Sequence, residues 1–252
     1  MHLNKGFSLT QKFLPLVFIA VLLDLLQLGD IMRRVQDFSI RFTVPTAIPS
    51  LTQILSEPQQ AAGGFNINIP FGYLGGAAIF MFIIFLLLSS FLKGGFLGSV
   101  LSGLNGESFN MDTFIRYGKD FFGRFLLQFL IIFLAMFVLI PFAFILGPLA
   151  LLFLLVFLVL FFMLLFWDYV IVVENTDVIQ GAKKSWNLVS NNIGTVFGFI
   201  LPVVVVAAIF SILANFMVGA APILAVMASI GYAYFGTVVI FAMMSFYHEI
   251  SK

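Results

Sequence analysis

The sequence predicts an all-α, polytopic membrane helical bundle with six transmembrane helices and two cytoplasmic interfacial amphipathic helices. Three observations predict it. First, 62% of the 252 residues are hydrophobic and only 9% are charged, where a soluble domain carries about 25% charged residues. A water-soluble fold cannot hide that much apolar surface, so the bilayer is the solvent. Second, the apolar residues gather into runs close to the ~20 residues with which a helix crosses a ~30 Å hydrocarbon core. Third, two of the breaks between runs carry amphipathic segments rich in lysine and arginine, Asn110 to Phe125 and Asp177 to Asn192.

One integral membrane domain accounts for the whole chain, with spans at about 13–29, 71–92, 125–145, 149–172, 192–218 and 222–247. Residues 1–12 read as a short basic lead. Phe13 to Gly29 has the basic start and apolar run of a signal peptide, but no small-x-small cleavage site follows, so it reads as a retained span. Its 17 residues cover roughly 26 Å as a helix. Residues 30–70 form the longest loop, broken by Pro45 and Pro49. Within it SLTQILSE predicts a short surface helix with Leu51, Ile54 and Leu55 on one face.

The second span opens on Gly72, Gly75, Gly76, Ala77 and Ala78, small residues that let helix backbones approach closely in lipid. After it, KGGFLGSVLSGLNG reads as a glycine-rich re-entrant or interfacial turn. NMDTFIRYGKDFFGRF then reads as an amphipathic helix, with Met111, Phe114, Ile115 and Phe122 on one side and Asp112, Arg116, Lys119 and Asp120 on the other. The third and fourth spans turn at Gly147-Pro148 and are bulky on every face, which places them at the lipid-exposed periphery. Gly194 and Gly198 form a G-x-x-x-G pair in the fifth span. Ala221, Ala225, Ser229 and Ala233 recur every four residues in the sixth. Both patterns predict close helix packing.

Between the fourth and fifth spans, Trp167 to Gly198 carries the main polar break of the C-terminal half. Asp177 and Gln180 have capping-box spacing, and Val178, Ala182, Trp186 and Val189 recur at helical spacing on one face. A helix with Trp on one side and Lys183 and Lys184 on the other belongs in a membrane interface. Two readings stay open: a connector with an apolar underside, or a docking surface for a lipid headgroup or a partner. FIRYGKDFFGRFL and GAKKSWNLVSNNI form a faint internal repeat that pairs Arg116 with Lys183 and Gly118 with Ser185.

Orientation follows from lysine and arginine counts in short loops. With both termini cytoplasmic, nine fall inside (Lys5, Lys12, Lys93, Arg116, Lys119, Arg124, Lys183, Lys184, Lys252) and three outside (Arg33, Arg34, Arg41). Both termini and residues 93–124 and 173–192 are therefore expected on the cytoplasmic side.

The net charge of +1 argues against a nucleic-acid partner, which wants a basic patch. The chain has no cysteine, which removes disulfides, thiolate metal sites and cysteine nucleophiles. The two histidines, His2 and His248, lie near opposite ends. Neither a Walker A loop, a G-x-S-x-G elbow nor an HExxH motif occurs. No catalytic residue, cofactor or metal site is therefore expected, and an ATP-driven role would require a partner ATPase. Asp24 is the acid inside an apolar span, a default functional candidate, yet it lies about a turn and a half from the end of the span, within reach of water. A hydrogen-bonded structural role and an ion or proton role are both open. Asp168 and Glu174 flank the inner end of the fourth span, near Lys183 and Lys184 in sequence. They predict either interfacial ion pairing, with Arg116 and Lys119 also in reach, or a zwitterionic headgroup site whose bases take phosphate.

The segment VVENTDVIQGAKKSWNLVSNNIGTVFGFIL, with AKKSWNLV at its centre, resembles the membrane domain found beside some bacterial glycerophosphodiester phosphodiesterases and the stand-alone multi-pass proteins similar to it. The likeness covers roughly residues 71–250. It implies a bacterial polytopic membrane protein. It does not imply the phosphodiesterase reaction, which those enzymes carry out in a separate soluble barrel with a His-Arg-Gly type motif that is missing here.

The expected role is a non-enzymatic accessory or lipid-handling module acting through Arg116, Lys119, Lys183, Lys184 and Trp186, with membrane lipids as partners. A small transporter, or the membrane subunit of an ATP-driven exporter, is the alternative of a different class. An immunity or stress protein binding a membrane-active peptide is a third. The oligomeric state is not legible in the sequence.

Overall fold

A computed structural model describes residues 2–33, 41, 43–45, 47–55, 76–146 and 150–251. Among them the regular structure is entirely helical. Ten α-helices follow in order: α1 His2–Lys12, α2 Leu14–Leu26, α3 Leu28–Arg33, α4 Gly76–Leu104, α5 Met111–Leu146, α6 Ala150–Met163, α7 Trp167–Val173, α8 Val178–Asn191, α9 Ile193–Ala220 and α10 Pro222–Ile250. A 3-10 turn occupies Leu51–Gln53. Among the described residues five stretches are long and apolar enough to cross a membrane, or six if the bent pair α1–α2 counts as one. The small residues at 71–75, the glycines and proline of 61–70 and the Gly147-Pro148 turn lie outside the described residues.

The chain divides into two compact units. The first comprises Met1–Ile79, Ser102–Phe109 and Thr195–Phe246. Here the predicted first span is a broken element. α1 and α2 meet at 81°, and Pro15 stands in the first turn of α2, where its missing N–H costs nothing. The 13 residues of α2 rise only about 20 Å, short of a full crossing. The predicted basic lead is helical and packed: a Cβ on Gly6 would strike the Val238 carbonyl oxygen. His2 meets Phe199 and Phe246 edge-on.

The expected surface helix near residue 51 is instead a short turn driven into the core. Leu51, Ile54 and Leu55 are fully buried with Ile31, Ala214, Val218, Ala225, Ala228 and Tyr232. Of the four-residue stripe of α10, Ala225 joins the cluster around this turn, whereas Ser229 donates to Asp24 of α2 and Ala233 packs with Val17, Ala20 and Val21 of α2. α9 and α10 do lie together, with Phe210 stacked on Phe235 at 4.8 Å and Phe199 on Phe246 at 4.4 Å.

The G-x-x-x-G expectation is not met among the described residues, since a Cβ on Gly194 or Gly198 would touch none of them within 4 Å. α9 turns Val196, Ile200, Val203, Ala207, Ser211 and Ala214 inward instead. Pro202 also leaves the Gly198 carbonyl without its helical donor.

The second unit comprises Phe80–Leu101, Asn110–Gly194 and Tyr247–Lys252. Lys93 to Gly103, read from sequence as a turn, continues α4 without a break. Its glycines serve packing. A Cβ on Gly94 would sit 3.1 Å from the Phe121 Cβ, one on Gly95 2.8 Å from the Phe114 ring, and one on Gly98 would overlap Tyr117. α4 thus offers a flat glycine face to the aromatic face of α5.

α5 has 36 residues, about 54 Å, so its first turns extend beyond any ~30 Å apolar layer. Its buried side is Phe114, Gly118, Phe121, Phe125 and Gln128, while Met111 and Ile115 are exposed. The predicted grouping of Phe114 with Met111 and Ile115 therefore merges two faces. Leu130 to Val138 and Leu155 to Val159 are largely exposed, as expected of a lipid-facing hairpin.

The predicted fourth span is interrupted between α6 and α7. Ser185 of α8 patches the gap: its hydroxyl donates to the Met163 carbonyl at 2.9 Å and accepts from the Phe166 N–H at 3.2 Å.

Candidate functional site

The turn from α7 into α8 builds the site. Glu174 ends α7. Asn175 then takes φ 51, a left-handed conformation that Asn tolerates better than most residues. Asp177 caps α8, its carboxylate accepting from the Gln180 N–H at 2.8 Å, as its spacing predicts. Trp167 donates its indole N–H to the Val178 carbonyl at 2.7 Å, which fastens the start of α7 to the start of α8.

α8 buries Val178, Gly181, Ser185 and Val189. Gly181 allows the approach, since a Cβ there would stand 3.0 Å from Ile171. Trp186 does not share that face, contrary to the sequence reading. It is 40% exposed and, with Ile179 at 60%, forms a second apolar stripe one heptad apart. Lys183 is exposed beside it, and among the described residues it makes no hydrogen bond or ion pair. α8 thus has two apolar faces, one buried and one exposed, and a single apolar period cannot separate them.

Lys184 leaves that outer stripe and pairs with Glu174. The other carboxylate oxygen of Glu174 accepts from the Tyr247 hydroxyl. Partial burial raises the Glu174 carboxyl. Hydrogen bonds from Lys184 and Tyr247 and the lysine charge outweigh that effect and hold it below its ordinary 4.5. Around the pair lies an open cleft of about 250 Å³ lined by Glu174, Lys184, Asn187, Leu188, Asn191, Tyr247 and Ser251.

Arg116 and Lys119 are exposed on α5. Arg116 lies over its neighbour Tyr117, 5.5 Å from the ring centroid, and neither residue lines the cleft. Asp168 does not join Glu174 either. It accepts from Lys93 at 2.8 Å and from the Gln128 amide at 2.7 Å, while Lys93 also donates to Gln128 at 3.0 Å. The Lys93 ammonium lies 4.7 Å from the Phe125 ring centroid, so the cation is caged by a carboxylate, an amide and an aromatic face.

Asp24 is buried rather than water-accessible. Its carboxylate accepts from the Ser50 and Ser229 hydroxyls, each at 2.6 Å, and from the Leu51 N–H at 3.0 Å. Among the described residues no three of His, Asp and Glu converge as a metal site would require.

Sequence reasoning singled out Glu174 and Lys184 but missed Tyr247, Asn187, Asn191, Lys93 and Gln128. The 184, 187, 188 and 191 spacing on α8 was the available signal for the cleft wall. Nothing local marks Tyr247, 73 positions after Glu174, as the partner of that carboxylate.

The chain belongs to the family described as Domain of unknown function (DUF7847), which matches residues 43–249. No curated protein and no solved structure matches it.

Proposed function

We propose that this DUF7847 member is a non-enzymatic multi-pass protein of a bacterial cytoplasmic membrane, an accessory module that handles lipid at the cytoplasmic interface. The observation that carries the reading is the outer face of α8, where Ile179 and Trp186 are exposed together beside Lys183. An apolar stripe with a neighbouring lysine suits the boundary between acyl chains and headgroups. The start of α5 repeats the pattern with Met111, Ile115, Arg116 and Lys119 exposed.

The same reading has both termini cytoplasmic. With Lys93 buried against Asp168, the division of lysine and arginine becomes eight inside and three outside, which still favours that orientation. Six crossings require the bent α1–α2 pair to be one of them. The native chain has no cysteine, so Lys5→Cys and Ser190→Cys give unique labels. Six crossings predict that an impermeant thiol reagent treats both alike in intact cells. Five predict opposite behaviour.

The interface itself is tested by fluorescence. Trp167→Phe leaves Trp186 as the sole tryptophan of the two. In nanodiscs, lipids brominated close to the headgroup should quench it strongly. Emission unaffected by bromine at any depth would refute the interfacial placement of α8. The buried Lys93–Asp168 pair favours a second reading, a small transporter or exporter subunit, because ionisable residues within a membrane bundle mark ion and substrate pathways.

A further inference from the structure

We propose that the cleft beside α8 recognises a zwitterionic phosphoethanolamine headgroup, the amine at Glu174 and the phosphate at Lys184. The inference rests on the lipid-handling reading above and specifies its ligand class. It starts from charge. Among the described residues the cleft lining holds one acid, Glu174, and one base, Lys184. An anionic headgroup would gain from Lys184 and be repelled by Glu174. A simple cation would meet the reverse. A ligand that carries both signs satisfies both groups.

The remaining lining residues fit the same ligand. Lys184, Asn187, Leu188 and Asn191 lie on one side of α8 at i, i+3, i+4 and i+7, and Ser251 follows the end of α10. Among the described residues the side chains of Asn187, Asn191 and Ser251 make no hydrogen bond. They line the same cleft as Lys184 and can donate to phosphate oxygens. Glu174 needs no such donors, because the Tyr247 hydroxyl already orients its carboxylate. That leaves the carboxylate as the acceptor for an incoming ammonium.

Opening the Glu174–Lys184 pair is cheap. The Lys184 side chain is 52% exposed and that of Glu174 31%, and exposed pairs add little to stability. The pair is then a closed resting form that a zwitterion enters by exchanging one ion pair for two. Leu188 gives the cleft an apolar lining residue, where the glycerol end of a lipid would leave it.

The test uses the full chain, delipidated in detergent and then offered phosphatidylethanolamine or phosphatidylglycerol of identical acyl chains, with bound lipid counted by native mass spectrometry. Wild type should prefer phosphatidylethanolamine on the order of tenfold, the scale of one charge-assisted hydrogen bond. Glu174→Gln should bring the two lipids to parity while the protein keeps its monodisperse elution. Asn187→Leu should weaken phosphatidylethanolamine without touching the ion pair. Equal binding of both lipids by wild type, or an unchanged preference in Glu174→Gln, overturns the headgroup assignment and leaves lipid handling standing. Retention of neither lipid overturns lipid handling as well. Soluble phosphoethanolamine should compete with the lipid, and binding of the soluble compound without binding of the lipid overturns the membrane as its source.

Discussion

Replacing Asp24 separates a buried anchor from a solvated side chain. In the fold its carboxylate holds three donors, from Ser50, Leu51 and Ser229, and the side chain is 1% exposed. Asp24→Ala removes the acceptor and leaves the donors behind. Ser50 retains Thr52 at 2.8 Å, so its loss is partial. The Leu51 N–H and the Ser229 hydroxyl lose their acceptor in a dry site, at about 1–3 kcal/mol for each unsatisfied group. The expected cost is therefore about 2–6 kcal/mol, large against a typical stability of ~5–15 kcal/mol. Asp24→Asn keeps one acceptor oxygen and should cost less, and Ser229→Ala, which removes a donor with its acceptor otherwise satisfied, about 1 kcal/mol. Because Asp24 and Ser229 touch, the double mutant should be less destabilised than the sum of the singles, with a coupling of roughly 0.5–3 kcal/mol. Unfolding in mixed detergent and SDS micelles, followed by circular dichroism, measures all four. An Asp24→Ala midpoint within error of wild type, a shift below about 0.5 kcal/mol as for surface sites, would refute the anchor and restore the water-accessible acid that the sequence position implies.

The glycines give a sharp contrast: Gly98→Leu should unfold the second unit, because its Cβ already overlaps Tyr117, whereas Gly198→Leu should be tolerated, since a Cβ there touches nothing within 4 Å; thermal aggregation in detergent ranks them. The Glu174 carboxyl lies below its ordinary 4.5 in the fold, so its contribution is complete above that value and is lost as pH falls through the folded pKa. The gap in melting temperature between wild type and Glu174→Gln should accordingly be open at pH 7 and close in acid. Asp168→Leu strands the buried Lys93 and should cost up to about 3–5 kcal/mol, Lys93→Met strands the part-buried Asp168 and should cost less, and the pair together should recover most of the larger loss; a double mutant no better than the worse single would show that the caged pair does more than satisfy itself.

Much of the helical layout was legible because the bilayer imposes it. Apolar runs of span length mark α4, α5, α9 and α10, and the Asp177 cap marks the start of α8 through local chemistry alone. Faces were harder. In water a helix is apolar where it is buried, so its period reveals its core side. In lipid both sides are apolar, and α9 carries exposed Phe197, Leu201 and Val205 as well as buried Val196, Ile200 and Val203. Small residues were then the remaining guide to contacts. They marked buried positions at Ala225, Ser229 and Ala233, though the last two meet α2 rather than α9, and they misled at Gly194 and Gly198. Whether a glycine admits a neighbour depends on which helix arrives. The glycines that do admit one, Gly94, Gly95 and Gly98, sit next to a lysine and among serines, a composition that reads as a turn.

Lys93 shows why polar residues misread most. Counted by charge alone it is a cytoplasmic marker, and the count assumes solvent around it. Its surroundings are instead Asp168, Gln128 and Phe125, contributed from 75, 35 and 32 positions away. A charge in a helix that borders lipid either reaches water or finds partners, and only tertiary structure says which. The same logic applies to the cleft. Glu174 and Lys184 are ten residues apart across one capped turn, close enough for sequence to join them. Tyr247, which orients the carboxylate, arrives on a helix that begins 48 residues after Glu174. A pair visible in sequence thus becomes a site only through a residue that is not, and the contribution of Tyr247 is separable: Tyr247→Phe deletes one hydrogen bond to Glu174 and leaves the ion pair. If the phenol orients the carboxylate for a ligand, lipid preference should fall with little change in stability, whereas equal losses in both would make it an ordinary packing contact.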